Sequence, residues 1–124
     1  METVMNVENC NGTIQCHSWN ELENLIRKSS SNPFDDIWIS RNSAYPCLAI
    51  LLNGKDACVH YFLNDNGDMW QSVGYGNKDV TFLHNGEESD MPADCIISLD
   101  KAIDCAKQFY LTSDLPNCIE WQEL

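Results

Sequence analysis

The alternation of apolar and polar residues is most informative between Tyr45 and Gly74. Two apolar runs, Cys47–Leu52 and Ala57–Leu63, flank an Asn53-Gly54 pair. This arrangement predicts a β-hairpin, because Asn-Gly tolerates the positive φ angles of a tight turn. Neither run alternates apolar with polar residues, so we expect both strands to lie at the centre of a sheet with both faces covered.

Two registers are open for this hairpin. A two-residue loop gives the pairs Leu52–Lys55, Ile50–Ala57, Leu48–Val59, Ala49–Cys58 and Cys47–His60. A longer turn through Lys55 and Asp56 would shift the register and exchange those partners.

Two amphipathic helices are predicted on either side of the hairpin. Ser18 and Glu21 form a capping box, and the helix that follows ends in the Ser-rich stretch 29–33. Ser98 caps the second helix, in which Asp100 complements the helix dipole. The apolar residues of both helices recur at helical spacing: Trp19, Leu22, Leu25 and Ile26 in the first, and Leu99, Ala102, Ile103, Ala106, Phe109 and Tyr110 in the second.

The other apolar runs are short and are separated by turn-forming residues, which is typical of an antiparallel meander. They predict strands at Thr3–Val7, Thr13–His17, Asp36–Arg41, Met69–Gly74, Val80–His84, Asp94–Ile97 and Cys118–Trp121. Residues 85–92 read as a polar, acidic loop. The order of elements predicts a single α+β domain over residues 1–124, with an antiparallel β-sheet packed by two helices.

The composition is strongly acidic. Nineteen Asp and Glu against seven Lys and Arg give a net charge of −12. Such a charge repels nucleic acid and anionic membranes and attracts a basic partner, although it can also serve solubility alone. The N-terminal residues METVMNVENC lack the pattern of a signal peptide, so we expect a cytoplasmic protein. Seven cysteines without a CxxC pair then indicate reduced thiols.

No catalytic, cofactor-binding or metal-binding constellation is predicted. Thiols in apolar strands of an acidic chain make poor nucleophiles, and His60 reads as a core histidine. Cys16-His17 is the only adjacent pair of soft ligands, and the turn at Asn64–Asp68 departs from a calcium loop. Trp38 and Trp70 each stand beside an acidic turn, so either could be a partly exposed interface residue rather than a core residue.

Three blocks of sequence resemble a known family. They are Tyr45-Pro46 with the hairpin ending at His60-Tyr61-Phe62, then Trp70-Gln71-Ser72-Val73-Gly74, and last the run from Ile97 through Phe109 and Thr112 to Leu115-Pro116-Asn117-Cys118-Ile119-Glu120-Trp121. Together they resemble the bacterial immunity proteins of the first Imm family (Imm-one). Those small proteins are encoded beside polymorphic toxins, including toxins with cytidine-deaminase-like domains. Ser113-Asp114 stands where that family tends to have Thr-Gly.

The resemblance implies a non-enzymatic toxin inhibitor whose partner is the C-terminal domain of a cognate toxin, with no cofactor, nucleic acid or membrane bound. A nucleic-acid-directed toxin, deaminase or nuclease, presents a basic cleft, and an acidic protein can occlude it stoichiometrically. We expect the charge to come from turns at one end of the sheet, with a tryptophan as anchor: Asp65, Asp68, Trp70, Glu87, Glu88 and Asp90. An acidic adaptor or nucleic-acid mimic for another basic partner is the alternative, and a small enzyme is a more distant one.

Overall fold

The computed structural model describes residues 4–9, 12–31, 35–41, 43–84 and 87–124. Within these residues the strands are β1 (Met5–Asn9), β2 (Gly12–Cys16), β3 (Asp35–Ser40), β4 (Cys47–Asn53), β5 (Asp56–Phe62), β6 (Met69–Val73), β7 (Val80–His84), β8 (Glu87–Met91), β9 (Ile97–Ser98) and β10 (Glu120–Glu123). The helices are α1 (Trp19–Ser31) and α2 (Leu99–Thr112), with one 3-10 turn at Ala93–Cys95. No described helix is long and apolar enough to span a membrane.

The main sheet has the strand order β10-β6-β5-β4-β3-β1-β2, and the short β9 pairs with β5 beside this path. All of its pairings are antiparallel. Strands β3 to β6 follow one another as the predicted meander, and β4 and β5 form its centre. The α+β prediction is therefore confirmed.

The central hairpin forms, but in a register shifted by two residues from the preferred one. Asn53 pairs with Asp56 and Leu52 with Ala57, so the turn consists of Gly54 and Lys55. Only Gly54 of these two has a positive φ, at +63°. This register buries Leu52 completely opposite Ala57 and leaves Lys55 exposed in the turn, whereas the predicted register would have placed a lysine opposite that leucine.

The helices cover one face of the main sheet. The Ser18 hydroxyl accepts a hydrogen bond from the Glu21 amide at 3.2 Å, and the Glu21 carboxylate accepts from the His17 amide at 2.8 Å. Both predicted caps form, since Ser98 accepts from the Lys101 amide at 3.2 Å. The main core lies between this face and the helices and includes Met5, Leu22, Ile26, Ile37, Ile50, Val59, Ala106 and Phe109.

Strands β7 and β8 correct the sequence prediction for the acidic segment. Residues 87–91, predicted as loop, form β8 and pair with β7 in a separate two-stranded sheet. This hairpin packs on the face of the main sheet that the helices leave free, through a second core of Leu51, Cys58, Val80, Phe82, Cys95 and Ile96. The burial of Phe82 fixes β7, and β8 follows by pairing despite its polar sequence.

Other boundaries differ in detail. The predicted strand Asp94–Ile97 is instead the 3-10 turn followed by β9, and the last strand is Glu120–Glu123 rather than Cys118–Trp121. Helix α1 runs through the Ser-rich stretch to Ser31, with Ser30 accepting a hydrogen bond from the Gly54 amide at 3.1 Å. The predicted first strand, Thr3–Val7, begins at a residue that lies outside the described residues, and β1 is Met5–Asn9.

Candidate partner-binding surface

The face of the main sheet opposite the helices has two unequal parts. Near the β4–β5 turn it is covered by the β7–β8 hairpin, where the Asn53 side-chain amide donates to the Thr81 carbonyl at 2.9 Å. Farther from that turn the face is not covered by the hairpin, and its side chains are exposed or partly buried except for Cys47, Ala49 and His60, which are buried. We call this second part the open face; strand alternation and register assign to it Asn6, Glu8, Trp38, Ser40, Cys47, Ala49, His60, Phe62, Met69 and Gln71.

Two aromatic rings lie at the centre of the open face. Trp38 on β3 and Phe62 on β5 stack across β4, with ring centroids 5.5 Å apart and an interplanar angle of 17°. On β4, Ala49 lies opposite Trp38 and Cys47 lies opposite Phe62, so the two rings meet diagonally across small side chains. Both rings remain only partly buried, so the stack presents a flat apolar area to solvent.

A carboxylate on the same strand holds the indole of Trp38 in place. Its indole Nε1–H donates to Asp36 Oδ2 at 2.8 Å, and Asp36 lies two residues earlier on the same face of β3. Asp36 is itself buried, at 8% exposure. The hydrogen bond and the stacking on Phe62 together fix the orientation of the indole.

Polar groups surround the aromatic pair. His60 Nε2 lies 3.0 Å from Gln71 Oε1, and the imidazole is 6.1 Å from the Phe62 ring. A shallow depression of about 200 Å³ adjoins Trp38 and includes Glu8 and Tyr45. An apolar aromatic centre with a polar rim is the usual anatomy of a protein–protein interface.

The open face carries negative charge without a compensating base. Glu8 is its carboxylate, and none of its assigned positions is Lys or Arg. Burial, together with the nearby Glu8 carboxylate, raises the pKa of the Cys47 thiol to about 11, which agrees with a negative local potential. Lysine and arginine residues lie elsewhere. Four of them are in the helices, and the Arg41 guanidinium donates a hydrogen bond to the Tyr110 carbonyl of α2.

The structure does not bring the predicted acidic residues to one end of the sheet. Asp65 and Asp68 lie in the β5–β6 turn, which follows Phe62, and the Asp68 carboxylate accepts a hydrogen bond from the Asn64 side-chain amide at 2.9 Å. The acids of β8 lie on the hairpin that packs near the β4–β5 turn, at the other end of β5. The predicted carboxylates therefore flank the open face from two ends: Asp65 and Asp68 at one, and Glu87, Glu88 and Asp90 at the other.

The acidic side chains of β8 do not all point to the same side of the β7–β8 hairpin. Phe82 points toward the main sheet, and its partner Ser89 shares that side of the hairpin. Alternation then places Glu88 and Asp90 on the outer side, where Asp90 accepts a hydrogen bond from the Thr81 hydroxyl. Both carboxylates are exposed.

Trp70, the predicted anchor, lies on the other face of the sheet. It pairs with Tyr61, with ring centroids 5.7 Å apart, and packs half-buried against the main core beneath the helices. The alternation of Ile37-Trp38-Ile39 already places Trp38 opposite the core-facing isoleucines. What sequence reasoning missed was its support by Asp36 and Phe62, because the second partner depends on the register of β4 and β5.

The described residues do not assemble a metal site. They contain no group of three or more His, Cys, Asp or Glu side chains that could hold a metal ion. Burial raises the pKa of Cys16 and Cys105, and their thiolates are therefore scarce at neutral pH. The hydrogen bond from Cys58 lowers the pKa of Cys95, but this thiol is only 1% exposed.

Comparison with known proteins identifies the family. Residues 11–123 match the family described as Immunity protein Imm1. A protein named double-stranded DNA deaminase immunity protein, from Burkholderia cenocepacia (strain H111), is 31% identical over 112 residues, which cover 84% of this chain and 89% of that protein. The chain therefore belongs to the Imm1 family of immunity proteins, which neutralise toxins.

Proposed function

We propose that this chain neutralises a cognate toxin of the DNA-deaminase class, by stoichiometric binding that occludes the toxin's substrate cleft. We propose further that the open face is the surface that binds. The observation that carries this proposal is the Trp38–Phe62 stack, set in a face that bears Glu8 and no lysine or arginine.

Charge supports a partner that handles DNA. A protein that acts on a DNA duplex needs Lys and Arg to contact the phosphates, and the relative from Burkholderia cenocepacia is named for immunity to an enzyme of that kind. The acids at the two ends of the open face, Asp65 and Asp68 in the turn and Glu87, Glu88 and Asp90 on β8, would meet the basic rims of such a cleft. Opposite charges across an interface raise the association rate and select the partner.

In this proposal the Trp38–Phe62 stack makes the apolar contact with the toxin, in addition to the contacts between charged groups. Tryptophan is enriched among the residues that dominate interface energetics, especially where polar groups surround it. Because Trp38 is already fixed by Asp36 and Phe62, binding would cost little side-chain entropy. Trp38 therefore takes the anchoring role in this proposal, and Trp70 packs against the main core on the other face of the sheet.

Co-expression with the toxin domain encoded by the neighbouring gene tests the proposal. We expect this chain to restore growth, to co-purify in a fixed ratio and to abolish deamination of double-stranded DNA by the purified toxin domain. A catalytically inactive toxin domain that still binds DNA serves as the control, and this chain should displace DNA from it. Growth rescue without displacement of DNA would contradict occlusion of the cleft. Failure to bind the toxin domain, with capture of a different basic protein, would instead favour the adaptor or nucleic-acid mimic.

A further inference from the structure

Two pairs of cysteine thiols lie in contact without being bonded. The Sγ atoms of Cys58 and Cys95 are 3.6 Å apart, and those of Cys105 and Cys118 are 3.5 Å apart. All four are free thiols. The first pair joins β5 to the 3-10 turn, and the second joins α2 to the segment that precedes β10.

The two pairs differ in their access to solvent. Cys58 and Cys95 are 0% and 1% exposed, whereas Cys118 is only partly buried. Cys118 also lines a groove of about 780 Å³, between the start of α2 and the end of β6, together with Ser98, Lys101 and Ile119. Cys118 is therefore the member of the pair that borders solvent and the groove, while its neighbour Cys105 stays buried in α2.

We propose that Cys105 and Cys118 are a modification site that closes to an intramolecular disulfide when a low-molecular-weight disulfide of the oxidised-glutathione class is present. The Cys118 thiolate attacks one sulfur of the oxidant, which breaks the oxidant's S–S bond and releases one thiol. The Cys105 sulfur, losing its proton, then attacks Cys118 Sγ and releases the second thiol. Two protein thiols are oxidised to one disulfide, and one molecule of oxidant is reduced to two thiols.

The second step controls the rate of closure. Burial, with a further contribution from Cys118, raises the pKa of Cys105, so its thiolate is rare at neutral pH. The mixed disulfide on Cys118 therefore forms first, and closure accelerates as the pH rises toward the pKa of Cys105.

The crosslink would fasten the C-terminal segment to α2. The bonded residues are thirteen positions apart, and the bridge would fix the chain that leads from the end of α2 into β10. Because Cys118 and Ile119 also line the groove, the same bond would hold one wall of it.

Peptide mapping of the full-length chain tests this inference. The reduced protein is incubated with oxidised glutathione, free thiols are blocked, and the chain is cleaved with trypsin. Cleavage after Lys and Arg leaves Cys105 in peptide 102–107, Cys118 in 108–124, Cys58 in 56–78 and Cys95 in 79–101. We expect peptides 102–107 and 108–124 to be linked, peptides 56–78 and 79–101 to stay unlinked, and the melting temperature to rise by about 10 °C.

Two variants complete the design. Cys105→Ser should stop at the mixed disulfide, with glutathione on peptide 108–124, and Cys118→Ser should abolish both products and the rise in melting temperature. Cys58→Ala is the control and should retain the link between 102–107 and 108–124. Alkylation of Cys118 without any linked peptide in the folded wild-type chain would overturn the proposal, and so would faster oxidation of the Cys58–Cys95 pair.

Discussion

The residue that best explains the proposed surface is Trp38, and its role depends on neighbours that are far apart in the sequence. The side of the sheet that Trp38 faces could be predicted from alternation along β3, because the apolar Ile37 and Ile39 face the core and Trp38 lies between them. Its contact with Phe62 could not be predicted, because that contact depends on the register of the central hairpin. The register that the Asn-Gly pattern predicted differs from the observed one by two residues.

The buried carboxylate of Asp36 is predicted to contribute to stability through the indole of Trp38. Asp36→Ala would leave the indole N–H without this acceptor and should lower the free energy of unfolding by about 1–3 kcal/mol. Asp36→Asn retains a side-chain oxygen that can accept the hydrogen bond, so it should lose less. Urea denaturation of both variants measures the difference. An equal loss in the two variants would show that the hydrogen bond is not the cause.

At the scale of elements, the capping residues and amphipathic stripes predicted both helices. The polar strand β8 was not predicted. Strand β8 reads EESDM and has low intrinsic strand preference. It forms because its partner β7 is fixed on the sheet by Phe82, a tertiary effect that local sequence does not record. For the same reason the acids of β8 were predicted in a loop.

The end of α2 offers a prediction of increased stability. Ser113 closes the helix with φ +60° in the left-handed region, where glycine is favoured, and its buried hydroxyl has no hydrogen-bond partner among the described residues. Ser113→Gly should therefore raise the free energy of unfolding by about 1 kcal/mol. Thr112→Gly, one residue earlier and inside the helix, should lower it by a similar amount. Thermal denaturation of the two variants compares them, and destabilisation by Ser113→Gly would refute this account of the cap.

At the scale of the whole molecule, the charge is unevenly distributed. Each helix contains two acidic and two basic residues and is neutral overall. The net charge of −12 therefore resides entirely in the strands and their connections. The total charge could be predicted from composition, but this separation requires the fold, because it is the fold that places the helices together on one side of the sheet.

The same change of charge should affect the rate of association with the toxin domain differently on the two sides of the main sheet. Glu88→Lys, at the border of the open face, should slow association with the toxin domain and reduce its dependence on salt concentration. Asp104→Lys makes the same change on the exposed side of α2 and should leave the association rate nearly unaltered. Stopped-flow kinetics over a range of salt concentrations distinguishes them. Equal slowing by both would mean that only the total charge matters.

The most direct test of the central claim is the affinity of the toxin domain for two truncations on opposite sides of the sheet. Trp38→Ala removes the proposed anchor, and Leu111→Ala removes an apolar side chain on α2 that is 65% exposed. Calorimetric titration should show that Trp38→Ala weakens binding by on the order of thirtyfold while the fold is retained, and that Leu111→Ala matches the wild type. Unchanged affinity in Trp38→Ala, or a comparable loss in Leu111→Ala, would contradict the assignment of the open face as the toxin-binding surface.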